Sequence, residues 1–170
     1  MSGLFPFLSP TVTRRRVAPR HWMTVDPGLQ GTGYAVWRFY ELKETGVLTS
    51  KAKEWWERAY SIAGTLYLRG SFSEIVYVEH MEYFGGSKNL AWKTGDLQRT
   101  TYLEGCIAGR FNEANIVVPI PVREWKGQLP KDVVIRRVQQ ELGKETCENL
   151  GIVTHAWDAV GIGLWAQNRL

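Results

Sequence analysis

The sequence predicts an α/β fold. One mixed five-stranded sheet, a three-stranded meander joined to parallel βα units, carries helices on both faces. Three observations predict it. Residues 22–25 and 34–39 are apolar runs separated by a turn crowded with Gly28, Gly31 and Gly33, the mark of an antiparallel pair. "EIVYVEH" (74–80) and "NIVVPIPV" (115–122) are short continuous apolar runs, as in strands buried on both faces. Between and after them lie stretches whose apolar residues recur at helical spacing, and strands alternating with helices build a sheet covered on both sides.

The elements follow in order. Residues 22–25 form the first strand, 34–39 the second, and "TGVLTS" (45–50) the third. In "AKEWWERAYSIAGTLYLRG", Trp55, Trp56, Ala59, Ile62, Ala63 and Leu66 share one helical face, and Gly70 ends the helix. Trp55 and Trp56 read as core packing. The strand 74–80 ends in the acid Glu79, and "MEYFGGSKN" reads as an exposed loop. Residues 90–111 make a long, glycine-dotted helix. The strand 115–122 is limited by its prolines, and "REWKGQL" is a loop. Pro130 is placed to open the helix "KDVVIRRVQQELG", which Gly143 stops. A polar linker leads to a last helix starting near Thr154, the expected N-cap.

At 170 residues the chain is long enough for a single domain with its own core. Apolar residues make up 44% and charged residues 22%, an ordinary globular mix. Eight tryptophans leave open whether some stack on bases rather than fill the core. The net charge of +4 favours a polyanionic partner. Cys106 and Cys147 lack CxxC spacing, so no zinc knuckle or disulfide framework is implied, and reduced thiols in a cytoplasm are expected. No apolar run approaches the roughly 18 residues of a membrane span. Residues 1–21 read as a flexible basic extension before a domain at 22–170. The cluster Arg14, Arg15 and Arg16 follows the apolar stretch, opposite to a signal peptide. It is either a solvated tail or a phosphate-contacting arm.

The acids carry the chemistry. Asp26 and Glu79 both stand where an apolar strand runs out, and the carboxyl ends of strands form the ligand crevice of open α/β sheets. Two carboxylates facing each other there need a bound cation or a raised pKa. His155 and Asp158, three apart, project from one side of the last helix's first turn. Asp158 lies in the otherwise apolar stretch "HAWDAVGIGLW", where it is a metal ligand, a cap or a satisfied core residue. Carboxylates select hard cations such as Mg²⁺ or Mn²⁺, and two such ions about 4 Å apart serve phosphodiester hydrolysis.

Three stretches, "TVDPGLQGTGYAV", "IVYVEHMEYFGGSKN" and "HAWDAVGIGLWA", resemble in order and spacing the motifs of the RuvC family of Holliday junction resolvases, a branch of the ribonuclease H-like superfamily. The resemblance runs from about Trp22 to Asn168. It implies a ribonuclease H-like sheet and a metal-dependent endonuclease that nicks four-way junctions symmetrically as a homodimer. It implies two Mg²⁺ or Mn²⁺ ions per site, held by Asp26, Glu79, His155 and Asp158. Many members carry aspartate where His155 stands, which leaves open a direct ligand role or one in proton transfer. Lys126 and Lys131 match lysines near the scissile phosphate, and Lys131, a cation near a helix start against the macrodipole, is the one a phosphate would relieve. Solvent-facing lysines are the plain alternative. "EYFGGSKN" corresponds to a loop beside the junction centre, where Tyr83 or Phe84 stacks on bases or only covers the core edge. Lys88 and Arg99 are further phosphate-contact candidates. The helix 90–111, with Gly105, Ala108 and Gly109, is the implied dimer interface.

Other readings compete. The same fold cuts flaps, other branched DNA or single strands. "DPGLQGTG" is similar to the phosphate loop of actin-like nucleotide-binding proteins, although 170 residues supply one such domain where two are needed. Neither GxxxxGK[ST] nor GxGxxG is present. A catalytically dead junction-binding module is disfavoured by the intact acid set.

Overall fold

The computed structural model describes residues 19–82, 95–111 and 115–170. Arg14, Arg15, Arg16, Tyr83, Phe84, Lys88 and the first residues of the expected helix 90–111 lie outside the described residues.

Five strands form one sheet: β1 His21–Asp26, β2 Thr32–Arg38, β3 Glu41–Leu48, β4 Ile75–His80 and β5 Ile116–Pro121. Their order is β3-β2-β1-β4-β5. The first three pair antiparallel, as the meander requires, while β4 runs parallel to β1 and β5 parallel to β4. This is the mixed five-stranded sheet that the sequence predicts. The helices are α1 Trp55–Gly70, α2 Asp96–Phe111, α3 Val122–Trp125, α4 Lys131–Leu142, α5 Lys144–Asn149 and α6 Ala156–Ala166.

The pleat sorts the strand residues between two cores. Met23, Val25, Val76 and Val78 pack against Ile62 and Leu66 of α1 and Leu103, Ile107 and Phe111 of α2. On the other face Trp22, Ala35, Trp37, Ile75 and Ile120 meet α4 and α6. Trp22 and Trp37 stack with centroids 5.1 Å apart beneath α6. The small residues of α6 admit them: a Cβ on Gly163 would come within 2.2 Å of the Trp37 ring. In α6 the run Asp158–Leu164 is buried throughout, so the helix lies within the fold rather than on it.

The structure corrects several boundaries and local expectations. The third strand begins at Glu41, ahead of the run expected at 45–50. The stretch expected as loop after β5 winds into α3, and the expected linker after Gly143 contains α5. Both helices are too short to show helical periodicity. Trp56 is exposed rather than core, and Trp55, edge-on to Trp56 and Tyr102, is only partly buried. Thr154 does not cap α6. It takes a left-handed φ of 36°, and His155 occupies the N-cap position without a capping side chain.

Candidate active site

Asp26 ends β1 and Glu79 lies in the last turn of the pleat of β4. Val25 pairs with Val78, so the next residues of these parallel strands, Asp26 and Glu79, stand side by side. Even-numbered positions of β1 and odd-numbered ones of β4 face α6, as Trp22, Ile75 and their neighbours show. The two acids therefore project onto the face where α6 begins. Asp26, Glu79 and Asp158 are 8%, 7% and 5% exposed, too deep for ordinary surface carboxylates.

Close packing seats α6. Gly33 is paired with Asp26 across β1 and β2. A Cβ there would lie 2.1 Å from the His155 carbonyl oxygen, so only glycine lets the start of α6 rest on the sheet. Thr24 adds a polar lock: its hydroxyl donates to the Ala159 carbonyl at 2.7 Å and accepts from Trp37 Nε1 at 3.1 Å. His155 and Asp158 are thereby delivered to the ends of β1 and β4.

Each acid has a partner. His155 Nδ1 lies 2.8 Å from Asp26 Oδ2. Trp125 Nε1 donates to Glu79 Oε2 at 3.1 Å. Lys126 Nζ lies 3.1 Å from Asp158 Oδ1, and Lys131 Nζ 2.8 Å from Asp158 Oδ2. The six residues that the sequence singles out for chemistry, Asp26, Glu79, Lys126, Lys131, His155 and Asp158, are thus gathered in one place. Trp125 joins them without having been expected; a tryptophan next to Lys126 in "REWK" was the only signal. Arg99 stands elsewhere, 3.5 Å from Asp96 in the first turn of α2.

The electrostatics record the crowding. Burial, first of all, raises the Asp26 carboxyl above its ordinary range; the His155 hydrogen bond opposes this and the Asp158 charge adds to it. Burial and then the Asp26 charge push Glu79 up to about 8, with Lys126 opposing. The Asp26 hydrogen bond raises His155, against the effect of burial. Asp26 and Glu79 both feel the Asp158 charge.

Among the described residues no three His, Cys, Asp or Glu side chains stand as a ready-made metal cage. The carboxylates are turned to His155, Trp125 and the two lysines. The donor set still fits a hard divalent cation: three buried carboxylates and one imidazole, with negative charge that burial leaves costly. The glycine-rich loop after β1 is closed on itself and on this site. The Thr32 hydroxyl donates to the Gly28 carbonyl at 2.8 Å, and Cβ atoms built on Gly28 and Gly31 would come within 3.9 and 3.4 Å of the His155 ring. No described helix is long and apolar enough to cross a membrane.

No family model matches the chain, and a search of curated proteins finds no match. Solved structures do match. Thermus thermophilus RuvC in complex with a Holliday junction substrate has 20% identity, a TM-score of 0.63, and alignment over 86% of this chain and 92% of that one. The yeast mitochondrial Holliday junction resolvase has 12% identity and a TM-score of 0.57, covering 88% of this chain and 79% of the other. Fowlpox virus resolvase, in complex with its substrate Holliday junction, has 17% identity and a TM-score of 0.57, covering 88% and 99%. Over most of its length the chain therefore has the ribonuclease H-like fold of RuvC and the other Holliday junction resolvases.

Proposed function

We propose that the protein is a metal-dependent endonuclease that resolves four-way DNA junctions. The observation that carries the reading is the convergence of three buried carboxylates, Asp26, Glu79 and Asp158, on the start of one buried helix. A structural role explains such a cluster poorly, since apolar residues would fill the space more cheaply. The fold neighbours in complex with junction DNA point to the substrate.

Bound Mg²⁺ or Mn²⁺, two ions per site, would supply the activated water and the charge that stabilises the leaving oxygen. Asp26, Glu79, Asp158 and His155 would hold them. The Asp26–His155 contact orients the imidazole toward the strand ends, ready as a ligand or as a proton carrier. Lys126 and Lys131 flank Asp158. Once that carboxylate is engaged by a cation, their ammonium groups are free to hold the scissile phosphate and the charge that develops on it. By the resemblance to the RuvC motifs Tyr83 or Phe84 would stack at the junction centre, and Lys88, Arg99, Arg14, Arg15 and Arg16 would contact phosphates. A homodimer would bring two such sites to opposed strands.

The test is cleavage of a synthetic four-way junction with and without divalent metal, mapping the nicks, with flap and single-stranded substrates alongside. Paired symmetric nicks at the junction, dependent on metal, are expected. Cleavage confined to flaps or single strands moves the substrate to the second reading; no metal-dependent cleavage at all sinks the nuclease.

A further inference from the structure

Trp125 ends α3 and is 4% exposed. Its indole touches three parts of the site at once. The N–H donates to Glu79 Oε2 in the interior. The Lys126 ammonium, itself paired with Asp158, lies 4.9 Å from the ring centroid, within cation–π range. On another side the ring lies against α6: a Cβ on Gly161, one turn beyond Asp158, would come within 2.8 Å of Trp125 Cζ3. A rigid bicycle thus spans the gap between the strand that carries Glu79 and the helix that carries Asp158.

We propose that Trp125 is a positioning residue of this site: its N–H aims the Glu79 carboxylate, and its ring sets the spacing between that carboxylate and the Lys126–Asp158 pair. The inference rests on the nuclease reading above. A buried carboxylate held through one oxygen keeps the other directed, whereas without a donor it turns or seeks another partner. Hydrogen bonds behind metal ligands commonly govern affinity in this way. The plain alternative is that Trp125 only fills the core beside Gly161 and Val134.

Two replacements separate these. β-(3-Benzothienyl)alanine at position 125 keeps the bicyclic shape and exchanges the N–H for sulfur, and Trp125→Phe is the second variant. Mn²⁺ affinity is read by electron paramagnetic resonance, and kcat and KM on a four-way junction are measured separately. The expected result is an Mn²⁺ dissociation constant about tenfold higher, a lower kcat, an unchanged KM for the junction, and wild-type melting in the benzothienyl protein. Unchanged Mn²⁺ affinity and kcat in that protein overturn the role. Should neither variant fold, the indole ¹⁵N–¹H signal of Trp125 in the unaltered protein decides: Mg²⁺ shifts it if the N–H backs a ligand and leaves it in place if the ring is filler. Asp26→Asn keeps the two readings apart. Wild-type Mn²⁺ binding that this change does not weaken overturns the nuclease and the inference together, whereas Asp26-dependent binding indifferent to the benzothienyl ring overturns the role of Trp125 alone.

Discussion

Asp26 shows how much one side chain is asked to do. It is buried, bonded to His155 and within the field of Asp158. Asp26→Asn keeps the shape and removes the charge, so cleavage should vanish while junction binding, measured by gel shift, survives; an unfolded variant would make the residue structural instead. Lys126→Ala removes a cation beside Asp158 and should lower turnover by roughly 10²–10³-fold, the scale of losing one charge-stabilising donor, with a modest loss of junction affinity. Unchanged turnover would remove Lys126 from the phosphate. The pKa shifts also predict a pH dependence without metal. Glu79, Asp26 and His155 all bind protons more tightly folded than unfolded. Each contributes stability that is complete below its unfolded pKa and is lost as pH rises through the folded one. For Glu79 that window opens at the ordinary 4.5 and closes at about 8. In chelator, the melting temperature should therefore fall as pH is raised across this window, and Glu79→Gln should flatten the fall. A flat wild-type curve would mean that the acids are better solvated than their burial implies. Sequence placed Asp26 and Glu79 at strand ends by inspection, but beyond the position of Trp125 next to Lys126 it did not show the Trp125–Glu79 hydrogen bond, because that bond joins residues 46 positions apart.

At the scale of elements, glycines separate packing from propensity. Gly33→Ala would drive a methyl group into the backbone at His155. Such overpacking costs about 1–3 kcal/mol or more, and it should shift α6 enough to lose cleavage as well, readable as a lower melting temperature with reduced turnover. Gly64, inside α1, has none of the described residues within 4 Å of a built Cβ. Gly64→Ala should accordingly stabilise by about 0.5–1 kcal/mol through helix propensity alone, seen as a shifted denaturant midpoint with unchanged slope. A loss at Gly64 would show that something packs there. Long elements with clear periodicity, such as α1 and α4, were legible in advance. The short helices α3 and α5 were not, since four and six residues cannot display a period of 3.6. The Thr154 cap failed for a different reason: seating His155 against Gly33 decides how the chain enters α6, and local capping preference yields to it.

For the whole molecule, a symmetric junction calls for two sites related by a two-fold axis. The proposed homodimer should sediment at twice the 19.4 kDa of the chain, and its two nicks should fall on opposed strands. Among the described residues, nothing lies within 4 Å of where side chains on Gly105 and Gly109 of α2 would begin. Leucine at either position should break the dimer and uncouple the paired nicks while leaving the melting of the monomer intact; a dimer unaffected by both changes would move the interface off α2.

What the sequence determined by itself was the order of the strands and long helices and the mixed character of the sheet, and it nominated Asp26, Glu79, His155, Asp158, Lys126 and Lys131 as candidates for the chemistry. The elements and the strand-end acids follow from period, turn residues and charge in apolar surroundings, which are local properties of the chain, whereas the two lysines were named through the resemblance to the RuvC motifs. Only the tertiary structure decided who meets whom. His155 lies 129 positions from Asp26, and Lys126 lies 32 from Asp158. Their contacts exist because β1 and β4 run side by side and because glycine lets α6 settle on their ends, a matter of steric fit between distant segments that no local pattern encodes.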